Sequence, residues 1–124
     1  MSDDLVDPNT GLMTPLNFYE SARRIKSWAD RKQQPICFIA IELPNLGEDN
    51  LVRVAREMLS ELRGGDLLVR MGKQVFVLLI LGDEVGAGHL IFRLSNTIKP
   101  KLEFRSQPWL KDETLIDSLK RLGV

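Results

Sequence analysis

Residues 75–81 read Val-Phe-Val-Leu-Leu-Ile-Leu, seven positions without a polar side chain. Successive side chains of a strand point to opposite faces, so a strand of this composition is apolar on both and must be covered on both, by helices or by a second layer. Upstream, residues 67–71 form a second apolar run, and the two are separated only by Gly72-Lys73-Gln74. Two apolar runs around a short polar interruption are the pattern of a buried hairpin whose tip needs a flexible residue. The expectation is a pair of antiparallel strands at the centre of a sheet.

The rest of the chain has to supply that cover. Its 124 residues are 44% hydrophobic, which fits one compact domain over 1–124, because a chain of this size buries about two-thirds of its unfolded surface. Seventeen basic residues balance seventeen acidic ones, so no electrostatic footprint marks a partner of nucleic acid or of an anionic membrane. Cys37 is the sole cysteine and lies in an apolar run. It forms no internal disulfide, reads as a small buried hydrophobe and suits a reducing cytoplasm. No apolar run approaches the roughly 20 residues that span a bilayer, and the acidic N-terminus lacks the basic and apolar regions of an export signal.

In chain order, residues 1–10 are a polar lead-in ending in the turn formers Asp7-Pro8-Asn9-Thr10-Gly11. Thr14-Pro15 is an N-cap followed by proline at the first helical position, and Phe18, Ala22, Ile25 and Ala29 mark the inner face of a helix ending near Arg31. Residues 36–41 form an unbroken apolar strand terminated at Glu42. Leu51, Val54, Ala55, Met58, Leu59 and Leu62 give a second helix, expected to close at Arg63 before Gly64-Gly65. Beyond the hairpin, residues 82–88 with three glycines read as a loop, and a third helix then buries Leu90, Ile91, Leu94 and Ile98. Residues 101–105 form a short edge strand, and Asp112 caps a last helix with Leu115, Leu119 and Leu122 inward. The order is helix, strand, helix, hairpin, helix, strand, helix. It implies an α+β sandwich of the ferredoxin-like kind, with a central antiparallel hairpin in a helix-covered sheet.

Three stretches together resemble the GGDEF family, the diguanylate cyclases. Asp7-Pro8-Asn9-Thr10-Gly11-Leu12 resembles its opening Asp-x-Leu-Thr-Gly-Leu motif, Ile39-Ala40-Ile41-Glu42-Leu43 its strand ending in a metal-binding Asp-x-Asp, and the hairpin its signature turn. The resemblance implies the family fold and a place in cyclic di-GMP signalling. The signature positions here read Gly72, Lys73, Gln74, Val75 and Phe76. In the active family two glycines admit the triphosphate of GTP, and an acidic residue joins a strand aspartate on magnesium. Here Gln74 and Val75 stand where carboxylates are needed, and only Glu42 remains as an anionic ligand. Magnesium takes near-octahedral oxygen ligands, so one carboxylate beside Lys73 makes a poor site. Thr14 and Pro15 stand where the family has an asparagine and an arginine, the segment after the Asp-x-Asp position is nearly absent, and Lys120 at the degenerate closing motif carries no assigned phosphate role. The implication is a shortened domain with no catalytic residues, metal or cofactor, acting through a protein partner or self-association.

Arg63-x-x-Asp66 matches the family's inhibitory motif, which binds cyclic di-GMP. A guanidinium fork suits phosphate or the Hoogsteen edge of guanine, and a carboxylate accepts from guanine N–H groups. The plainer reading stands beside it: Arg63 as a cation at a helix C-terminus and Asp66 as a turn residue. A third possibility is residual nucleotide chemistry using Glu42, Gln74 and Lys73. Glu42 and Lys73 read equally as a solvated strand end and a solvated turn. His89 has no nucleophile or metal partner in the sequence pattern and takes no catalytic role, while Trp28 and Trp109 read as cover for the core rim.

Overall fold

The computed structural model describes residues 5–124, so the reading of 1–4 as part of the lead-in lies outside the described residues. Its order is α1 (Pro15–Lys32), β1 (Cys37–Glu42), α2 (Glu48–Ser60), β2 (Leu67–Gly72), β3 (Val75–Ile80), α3 (Glu84–Thr97), β4 (Glu103–Pro108) and α4 (Leu115–Leu122). The strands form one antiparallel sheet in the order β2-β3-β1-β4. This is the expected α+β sandwich, with one correction: β3 and β1 are the central strands, and β2, the first arm of the hairpin, lies at an edge. The composition of β2 carries that difference, because Arg70 interrupts it whereas β3 has no polar residue.

Both faces of the sheet are covered, as the apolar run of β3 requires. Ile39, Ile41, Phe76, Leu78 and Leu68 pack under α2 and α3 with Val54, Met58, Ala87 and Leu94, while Phe38, Ala40, Val77, Leu79 and Val69 pack under α1 and α4 with Phe18, Ala22, Leu115 and Leu119. Phe38 sits at the middle of the second layer, 6.3 Å from the Phe18 ring and 4.9 Å from that of Trp109. Trp109 closes this core as expected, its indole N–H donating to the Glu113 carbonyl at 2.9 Å. Trp28 remains partly exposed beside an apolar groove with Ile25 and Leu81.

Several elements depart from expectation, among them the last strand, which runs Glu103–Pro108 rather than over 101–105 because its ladder with β1 continues to the pair of Cys37 with Pro108. The α1 inner face includes Lys26 beside the expected Ile25, which packs half-buried against the core: the Lys26 ammonium donates to Asp30 and to the Lys111 carbonyl, both at 2.8 Å, and lies 5.5 Å from the centre of the Trp109 ring. Helix α2 stops at Ser60, with Glu61 as its C-cap, so Arg63 lies beyond the helix end. Residues 84–88, read as loop, are the first turn of α3, because the Asp83 carboxylate accepts from the Gly86 N–H at 3.0 Å and Ala87 is buried against the sheet. Thr114, not Asp112, caps α4, its hydroxyl accepting from the Asp117 N–H at 3.1 Å.

The cap of α4 carries a pH-dependent pair. Glu113 accepts from Arg121 through both oxygens, at 2.7 and 2.8 Å. That hydrogen bonding outweighs the opposing effect of burial and, with the Leu110 N–H, lowers the Glu113 carboxyl from 4.5 to about 2. A carboxyl lowered on folding stabilises the fold above its unfolded value, and the contribution is lost as pH falls through the folded one. Stability is therefore expected to decline from about pH 4.5 toward 2, and in Glu113→Gln the melting temperature should follow pH less steeply across that window.

Candidate functional site

The signature-like turn joins β2 to β3. Gly72 pairs with Val75 and the ladder shifts between Arg70 and Gly72, so Met71 is bulged and Lys73-Gln74 form the tip. None of the turn residues has a positive φ, and a Cβ on Gly72 would meet its nearest neighbour at 4.0 Å. The flexible residue expected at the tip is therefore not required by this conformation; the bulge supplies the twist that closes the turn.

Arg70 holds the turn from one side. It donates to the carbonyls of Gly72 (3.4 Å) and Lys73 (3.3 Å), and its guanidinium lies 3.7 Å from Asp7 and 3.5 Å from Glu48. The lead-in thus docks on the hairpin. Thr10 is buried and donates to Asp7 at 2.7 Å, Leu12 is fully buried, and Met13 bridges to Val69 of β2. Burial tends to raise the Asp7 carboxyl, but the Thr10 hydroxyl, the Asn9 N–H and the charge of Arg70 together leave it lowered.

On the other side Glu42 ends β1 opposite Val75 of β3 and Glu103 of β4. Its carboxylate is ion-paired with Arg105. Arg105 also donates to the Leu122 carbonyl at 3.0 Å, tying β1 to the C-terminal end of α4. The Gln74 carbonyl accepts from the Leu43 N–H at 2.8 Å, Val75 brings no donor, and Lys73 is exposed. One carboxylate already matched by a guanidinium, with an ammonium nearby, does not fit the oxygen-rich coordination of magnesium. Among the described residues no group of three or more His, Cys, Asp or Glu side chains comes together as a metal site. Cys37 is equally remote from chemistry: burial, with Glu84 and Asp83 near, pushes its thiol up to about 11.

The chain has the GGDEF-domain fold of solved structures that match nearly all of it. The diguanylate cyclase SiaD from Pseudomonas aeruginosa, solved in complex with its activator SiaC, superposes with a TM-score of 0.85 at 22% identity over 98% of this chain. This is a GGDEF fold. The chain spans 56% of that SiaD chain. A microbial GGDEF domain described in a novel mode of interaction with cyclic di-GMP matches with a TM-score of 0.85 at 17% identity, covering 95% of this chain and 85% of that one. The GGDEF domain of DgcB from Caulobacter crescentus, in complex with cyclic di-GMP, matches with a TM-score of 0.84 at 12% identity, covering 97% and 86%. No protein-family model and no curated protein matches the sequence. In this shortened GGDEF fold the lead-in reaches the hairpin through Asp7 and Arg70, and the end of β1 pairs with its second arm at Val75.

Arg63 and Asp66 lie elsewhere, in the turn between α2 and β2. The Asp66 carboxylate accepts from the Arg63 N–H at 3.1 Å and from the Leu81 N–H at 3.3 Å, so it fastens this turn to the far end of β3. Gly65 between them has φ +96°. The Arg63 guanidinium is exposed and makes no hydrogen bond or ion pair with any described residue. It lines a cleft of about 150 Å³ with Asp66, His89 and Arg93. Arg93 in turn donates to the Glu61 carbonyl at 2.9 Å and its carboxylate at 3.3 Å.

Sequence reasoning therefore placed Arg63 and Asp66 in one site and Glu42 with residues 72–75 in another, and the structure keeps them apart. It missed Arg70, which holds the turn, Arg105, which pairs with Glu42, and the meeting of His89 and Arg93 with Arg63 in one cleft. Arg105 becomes visible only through the pairing of β4 with β1, and His89 only once α3 is extended back to Glu84.

Proposed function

We propose that this chain is a regulatory GGDEF-fold domain that works in cyclic di-GMP signalling without making the dinucleotide, through contact with a protein partner or a second copy of itself. The observation that carries the reading is the ion pair of Glu42 with Arg105: the remaining carboxylate at the expected metal position is matched by an internal cation. A GGDEF protein solved with its activator supports protein contact as a mode of action for this fold. Among the described residues no helix is long and apolar enough to cross a membrane, and the buried thiol of Cys37 suits a cytoplasmic setting. Calorimetric titration with magnesium and a non-hydrolysable GTP analogue should give no magnesium-dependent heat. Heat that requires magnesium and disappears in Glu42→Ala would remove the proposal and revive nucleotide chemistry at Glu42, Lys73 and Gln74.

A second reading has its own observation. The free guanidinium of Arg63 in the cleft beside Arg93 supports binding of cyclic di-GMP, whose phosphates match a guanidinium fork. Titration with the dinucleotide is expected to give micromolar binding, about −8 kcal/mol, lost in Arg63→Ala. Equal affinity in that variant would leave Arg63 as a solvated turn residue.

A further inference from the structure

The Arg63 cleft is lined by two guanidiniums, Arg63 and Arg93, and one carboxylate, Asp66, and a second carboxylate, Glu61, pairs with Arg93 at 3.3 Å. Counting the partner of Arg93, the two positive charges are balanced by two negative ones. A ligand carrying phosphodiesters enters a cleft with no net charge to meet it, unless another group supplies one. The remaining titratable side chain in its lining is His89 on α3. Asp83 and Glu84 stand at the start of the same helix, and Asp83 is engaged as its cap. Arginines keep their charge at every working pH, and the carboxylates here are held by hydrogen bonds or an ion pair. Imidazole is the side chain that changes charge in the physiological range.

We propose that His89 makes this cleft a proton-linked site, taking up a proton as the cleft takes in a phosphate-bearing dinucleotide. The inference rests on the second reading above and adds the residue that couples binding to pH. A phosphate beside an imidazolium favours its protonated form, and a preference of about one pKa unit equals a tenfold affinity difference between the two forms.

The test is calorimetry of the whole chain with cyclic di-GMP, at about pH 5.5 and about pH 8.5, in buffers of different ionisation enthalpy. The parent should bind about tenfold more tightly at the lower pH. At intermediate pH its apparent enthalpy should vary with the buffer, reporting proton uptake. His89→Gln should still bind, with neither pH dependence nor proton uptake, while Arg63→Ala should lose binding at both. Parent binding that is independent of pH and buffer, or proton uptake that persists in His89→Gln, would overturn the role of His89 and leave the Arg63 reading intact. No binding by the parent at either pH would overturn that reading and this inference with it.

Discussion

Phe38→Ala is expected to lower the unfolding free energy by about 3–5 kcal/mol, a large part of the roughly 5–15 kcal/mol that holds a natural domain together. Phe38 is fully buried on the central strand β1, between Phe18 of α1 and Trp109 just beyond β4. Removing its ring deletes apolar burial and opens a cavity that three elements border, and a central strand has little freedom to collapse into it. In urea the midpoint should fall with the slope unchanged, and the melting temperature should drop by about 10–20 °C. Phe38→Leu keeps most of the volume and should cost less. A loss under about 1 kcal/mol for the alanine variant would mean that the α1 and α4 layer is not packed on β1 as described.

Asp66→Ala is the second large effect. Its carboxylate serves the N–H groups of Arg63 and Leu81 at once, and the latter lies in a partly buried position. Leaving donors unpaired costs about 1–3 kcal/mol, toward the lower end where water reaches one of them. Asp66→Asn keeps an acceptor oxygen and should lie between parent and alanine variant. Amide exchange should quicken at Leu81 and around Gly65, in the turn that Asp66 fastens. A stable Asp66→Ala protein with unchanged exchange at Leu81 would deny the fastening role. The same geometry makes Arg63→Ala the cleaner probe of the cleft, because the Arg63 side chain has no part in holding the turn.

Much of this fold is legible in the sequence, for reasons that differ from element to element. The run in β3 demands cover on both faces wherever it sits, and Thr14-Pro15 announces the start of α1 through capping chemistry that acts locally. Local signals mislead where tertiary contact decides. Gly86 and Gly88 weaken helix propensity, yet the Asp83 cap and burial of Ala87 carry α3 through them. Lys26 reads as solvent-facing until Asp30 and the Lys111 carbonyl receive its ammonium. The position of β2 at an edge depends on β1 pairing with β3, a long-range choice that periodicity does not carry.

The candidate sites divide in the same way. Gln74 and Val75 at the signature-like turn are legible in single letters. The guanidiniums around them are not: Arg105 comes from a strand sixty-three residues beyond Glu42, and Arg70 binds carbonyls of its own hairpin. Arg70 thus anchors the turn, while Arg105 ties the end of β1 to the C-terminal end of α4.

Chromatographic detection of cyclic di-GMP after prolonged incubation of the purified chain with GTP and magnesium or manganese, beside Glu42→Ala and an active cyclase as control, tests the proposed loss of GTP cyclisation most directly. No product is expected from either form of this chain. Product from the parent that disappears in Glu42→Ala would contradict it, showing that Glu42 leaves Arg105 to bind metal.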